Sequence, residues 1–133
     1  MKIVYPTAED IIAANKFVIQ EIKVRKADRH GLLVDKKVIE GILDKCKQEN
    51  GDMYDKAACL IQGLLQKHVF ESGNRRTAYV VVRDFIRENL GKEPPFTKLP
   101  MDEKVLQGIR EDFYTHDEII EWLKGGEIRE FER

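Results

Sequence analysis

HVFESGNRRTA, residues 68–78, places a histidine, a glycine, an asparagine and two arginines between two apolar segments. Upstream, Ala57, Ala58, Leu60, Ile61, Leu64 and Leu65 give a helix that begins at Tyr54 or Asp55 an apolar surface on most sides, which marks it as the central helix. Downstream, the spacing predicts a helix from about Arg75 to Asn89, with Gly91 where a left-handed cap residue belongs. Ala78, Val81, Val82, Phe85 and Ile86 share one side of that helix, and Arg83 and Arg87 fall within about 20 degrees of Arg76 on the other. The stretch is a corner between two core helices, the second with a basic edge.

The rest of the chain reads as helices too. Pro6 and Thr7 introduce helix one over residues 8–23, with a stripe of Ile11, Ala14, Val18 and Ile22. KVRKADRHGLLV, residues 23–34, loses the period and reads as an exposed connection with short extended pieces. Asp35 caps a helix striped by Val38, Ile39, Ile42, Leu43 and Cys46, which stops near Asn50-Gly51. Pro94-Pro95 opens a loop through Pro100, and a short charged helix spans Met101 to Arg110. Thr115 to Glu118 is a capping box ahead of Ile119, Ile120, Trp122 and Leu123, and Gly125-Gly126 stops that helix. No run alternates with a period of two long enough for a central strand. The expectation is an all-α bundle of about six helices with a short flap of extended structure, in a single domain over 1–133.

Composition narrows the function. A net charge of -1 argues against a general nucleic-acid binder, so direct DNA binding is not expected. No apolar run approaches the ~20 residues that span a bilayer, and MKIVYPTAEDII lacks a secretory cleavage pattern, so no membrane association and a cytoplasmic location are expected. Cys46 and Cys59 lack zinc-ligand spacing and read as buried, reduced thiols.

Taken singly, the corner residues are ordinary. His68 follows Leu64 by four and Ile61 by seven, continuing the helical stripe. Phe70 is a core anchor, and Gly73 and Asn74 suit any tight turn. Together they point elsewhere. A glycine-bearing loop ahead of a helix leaves backbone N–H groups free at the positive end of the dipole. Two arginines there oppose the dipole unless an anion such as phosphate compensates, and phosphate oxygens suit the guanidinium fork. An imidazole one loop away, with an ordinary pKa near ~6.5, can take a hydroxyl proton at neutral pH.

His68-Val69-Phe70-Glu71-Ser72-Gly73-Asn74-Arg75-Arg76 resembles the Fic/Doc superfamily signature of histidine, any, phenylalanine, any, acid, glycine or alanine, asparagine, glycine or lysine, arginine. Thr77-Ala78 resembles the death-on-curing (Doc) branch, and the likeness runs from Tyr5-Pro6-Thr7 through Gly31-Leu32-Leu33 to about Gly91. The resemblance implies that His68 is the general base, with Arg76 also catalytic through its hold on nucleotide phosphates. Phe70 is then the structural anchor, and Gly73, Asn74, Arg75 and Arg76 form the phosphate-binding loop. Glycine at position 75 goes with AMP transfer in Fic enzymes, and lysine goes with transfer of the γ-phosphoryl group in Doc. Arg75 is Doc-like, and so is Tyr79, where many AMP-transferring members have a second arginine.

The implied activity is transfer of phosphate from ATP to a hydroxyl of a target protein. The alternatives are AMP transfer, or a degenerate Fic-fold protein that binds a nucleotide or a partner helix and transfers nothing. One position departs from the signature. The acid that holds Mg²⁺ in the family aligns with Ser72, while the carboxylate stands at Glu71, so the metal falls to Glu71 or Ser72. The family's inhibitory pattern, serine or threonine followed after three residues by glutamate, is missing: Thr115 leads to Ile119 and Thr97 to Met101. An antitoxin in trans is what the resemblance implies, and the stretch from Lys23 to Leu33 would correspond to the family's target-docking flap.

Overall fold

The computed structural model describes residues 2–21, 31–98 and 100–132. Six α-helices follow one another with no sheet among the described residues: α1 Ala8–Glu21, α2 Lys36–Gln48, α3 Met53–Gln66, α4 Asn74–Leu90, α5 Glu103–Arg110 and α6 His116–Gly125. A single turn of 3-10 helix, Pro95–Lys98, lies between α4 and α5. The all-α reading holds. The proposed end of helix one at residue 23 and most of the 23–33 connection lie outside the described residues.

Side-chain caps fix where helices begin. Thr7 and Asp10 exchange bonds ahead of α1, Thr7 N–H donating to Asp10 Oδ2 (2.9 Å) and Asp10 N–H to Thr7 Oγ1 (3.1 Å). Asp52 and Asp55 form the same box at α3, which moves its start back to Met53. Asp102 accepts from Lys104 and Val105, so α5 opens at Glu103 rather than Met101. The Thr115–Glu118 box stands as the sequence indicates, and Gly126 closes α6 in the left-handed region.

α3 packs against α2, α4, α5 and α6. Ala57, Ala58, Leu60, Ile61 and Leu65 are wholly buried, so almost its entire circumference is core. Even Lys56 is enclosed. Its ammonium donates to the Lys47 and Glu49 carbonyls at 3.1 and 2.8 Å, the negative end of the α2 dipole. Phe96 of the 3-10 turn plugs the end of the bundle between Tyr79 and Trp122.

Three sequence readings change. Helix one buries Ile11 and Val18 as expected, but encloses Asn15 and Ile19 while Ala14 is only partly buried; Ile22 lies outside the described residues. α3 ends at Gln66, so His68 does not continue its stripe; it lies beyond the cap residue Lys67 with φ 46°. The basic edge of α4 is largely neutralised: Arg83 and Arg87 both bond Asp84, and Arg87 also reaches Glu93.

Candidate active site

The chain leaves the helical path after Gln66 because the next residues pair with another segment. Leu33 N–H donates to Val69 O (2.8 Å) and Glu71 N–H to Gly31 O (2.9 Å), making an antiparallel bridge between Leu32 and Phe70. These are the described residues of the expected flap, and they are extended against the motif loop. A left-handed residue at 68 redirects the backbone into that pairing. Positive φ is uncommon for a side chain with a Cβ and concentrates at functional sites.

The loop is then locked from inside. Phe70 is 1% exposed and anchors it in the core. Asn74 grips the Phe70 backbone on both sides, Nδ2 donating to Phe70 O (2.7 Å) and Oδ1 accepting Phe70 N–H (2.9 Å). The Asn74 side chain therefore serves the loop itself, and any contact to phosphate is left to its backbone. Asn15, fully buried on α1, donates Nδ2 to Ser72 O (2.9 Å) and to Thr77 Oγ1 (3.1 Å). Sequence reasoning missed Asn15. The signal was a polar residue four after Ile11 on a buried face.

Gly73 begins α4 with φ 77°, and a Cβ there would lie 3.0 Å from Ile19 Cδ1. The left-handed backbone favours glycine, and a Cβ would press on Ile19. No side chain caps α4, and the first bonded N–H at this end is that of Thr77, which donates to Gly73 O (2.9 Å). The N–H groups of Asn74, Arg75 and Arg76 are therefore open at the positive end of the dipole. Neither Arg75 nor Arg76 has an ion pair or hydrogen bond among the described residues. Arg75 is exposed beside a cleft of about 530 Å³ that Glu103, Lys104, Gln107 and Phe131 also line, while Arg76 is half-buried.

His68 stands at the other end of the same loop, half-buried. Burial holds its pKa below the ordinary imidazole value, and the charge of Arg110 on α5 lowers it further. Nδ1 is enclosed without a partner among the described residues, which leaves Nε2 as the nitrogen able to meet a substrate. Arg110 is a second residue that the motif did not reveal, because it lies far along the chain.

The two metal candidates are placed unequally. A Cβ on residue 31 would lie 2.9 Å from Glu71 Oε2, so this carboxylate rests against the flap backbone at Gly31. Ser72, whose carbonyl is held by Asn15, offers only a neutral hydroxyl. A hard dication prefers carboxylate oxygens; Ser72 lacks one and that of Glu71 is turned to the flap, so this donor set does not fit Mg²⁺.

The uncapped start of α4, with its two guanidiniums, thus lies one braced loop away from an imidazole whose pKa is held down. The sequence profile of the Fic/DOC family matches residues 5–86, from the approach to α1 to near the end of α4. The chain belongs to the Fic/DOC family, whose members in general transfer nucleotide-derived groups to proteins. α5 and α6 lie outside the matched span. No curated protein sequence matches the chain. Among the described residues no helix is long and apolar enough to cross a membrane.

Proposed function

We propose that the protein transfers the γ-phosphoryl group of ATP to a hydroxyl side chain of a target protein. The observation that carries this reading is the pair of guanidiniums, Arg75 and Arg76, that have no partner among the described residues at the uncapped start of α4. The open N–H groups and Arg76 bind phosphate oxygens, and Arg75 spreads the negative charge that builds on the transferring group. His68 accepts the hydroxyl proton as the new oxygen–phosphorus bond forms and the bond to the β-phosphate oxygen breaks, releasing ADP. No step is assigned to Mg²⁺, since the donors around α4 do not suit it. Arg75 favours phosphate over AMP because a bulky cation stands where AMP-transferring relatives have glycine. An antitoxin chain acting in trans completes the proposal, with the protein working in the cytoplasm.

A second reading is supported by Ser72 and by the position of Glu71: a family member that binds nucleotide without transferring from it. One experiment separates the three outcomes. The protein is incubated with cell extract and ATP labelled at the α- or the γ-phosphate, beside a His68→Ala control. Protein-bound label from γ alone, lost in the control, supports phosphotransfer. Label from α alone replaces it with AMP transfer, and absence of both supports the non-transferring reading.

A further inference from the structure

A second cluster of chemistry-bearing groups lies at the far end of α3 from His68, about 17 Å of helix away. Glu49 closes α2, Asp55 sits in the first turn of α3, and His116 opens α6. His116 Nε2 stands 3.6 Å from Glu49 Oε1 and 3.6 Å from Asp55 Oδ1, and the ligand atoms of all three lie within 4.8 Å of one another. Nε2 is enclosed and has no hydrogen-bond partner among the described residues. The ring's other nitrogen, Nδ1, faces Gln62 Oε1 at 3.2 Å.

That contact has a consequence for the ring. With Nδ1 turned to Gln62, the ring presents Nε2 to the two carboxylate oxygens. An imidazole nitrogen and two carboxylate oxygens converging on one point form a donor set for a cation. Their spacing suits one: ligands held about 2.0–2.1 Å from a tetrahedral ion stand about 3.4 Å apart. The groups are also pre-set, since Asp55 Oδ2 is held by Asp52 N–H (2.9 Å) in the capping box, and Gln62 orients the imidazole as an outer partner does in metal sites.

We propose that Glu49, Asp55 and His116 form a binding site for a divalent transition metal, Zn²⁺ being the ion that one imidazole and two carboxylates suit best. Glu49, Gln62 and His116 also line a cleft of about 740 Å³ between α2 and α3. The fourth coordination position opens there to water or a small ligand. The ion would tie α6, outside the span shared with the family, to α2 and α3 within it. This inference is independent of the phosphotransfer reading.

The full chain, stripped with chelator and dialysed, is melted with and without ZnCl₂, and its Co²⁺ form is examined by visible absorption. The expected result is a rise in Tm of about 5 °C or more at saturating Zn²⁺, with the strong visible band of tetrahedral Co²⁺. Glu49→Gln, which keeps the side chain's shape, and His116→Gln each lose both signals. Cys59→Ser, in the same cleft, keeps both, and MgCl₂ at equal concentration gives no rise. An equal response in all the variants, its loss in Cys59→Ser, or no response in the parent protein overturns the proposal.

Discussion

Asn15 and Thr77 meet in the closed interior between α1 and α4, Asn15 Nδ2 donating to Thr77 Oγ1 over 3.1 Å while holding the Ser72 carbonyl at 2.9 Å. The amide thus fastens the motif loop to the body of the protein from beneath. Asn15→Leu removes the donor to a buried hydroxyl and to a half-buried carbonyl, a loss of about 1–3 kcal/mol. Chemical denaturation of the variant should show a lower midpoint with an unchanged slope. Parent-like stability would mean that the amide is not the tether described.

Asn74→Ala and Gly73→Ala should damage the loop by different routes. The first frees the N–H and carbonyl of Phe70, the second forces a Cβ into a left-handed residue beside Ile19. Each is expected to destabilise by about 1–3 kcal/mol. Both should also weaken nucleotide binding, read by calorimetric titration with ATP. A Gly73→Ala protein as stable as the parent would contradict the strained geometry at residue 73.

Removing the arginines should be felt in binding more than in folding. Arg76→Ala is expected to lower nucleotide affinity about 10-fold or more, the scale of a lost charge-assisted hydrogen bond. Its thermal midpoint should hardly move, because neither guanidinium has a partner among the described residues. The same titration, paired with a melting curve, separates the two effects.

In the proposed transfer the active form of His68 is the neutral ring. Its pKa is depressed, first by burial and then by Arg110, so the ring stays neutral to lower pH than an ordinary imidazole. The acid limb of transfer activity should therefore fall below about pH 6.5. Arg110→Gln removes a repelling charge and raises the pKa, moving that limb toward higher pH; burial remains, so the move is partial. His68→Ala should lower transfer at least ~100-fold. A limb that Arg110→Gln shifts downward would contradict this account.

Cys46 offers a test of the core. Burial pushes its thiol up to about 12, and its sulfur lies 3.3 Å from the Lys56 carbonyl. The thiolate is the reactive form, so Cys46 should resist iodoacetamide in the folded protein at pH 8 and react once the chain is unfolded. Mass mapping of the labelled peptide decides it.

The amino-acid sequence by itself determined the helices and the location of the corner. Apolar spacing marked α3 as central, the Thr115–Glu118 box and Gly91 marked helix ends, and HVFESGNRRTA carried the family resemblance. These signals are local, since periodicity, caps and turns depend on residues a few positions apart. Only the tertiary structure decided the rest. It took His68 out of the helix because Val69 and Glu71 pair with Leu33 and Gly31, a contact made by folding the chain back on itself. It set Asn15 under the loop, brought the charge of Arg110 to bear on His68, and gathered Glu49, Asp55 and His116 from three helices. Such groups meet because helices pack, and packing joins residues whose separation along the chain carries no mark of their nearness.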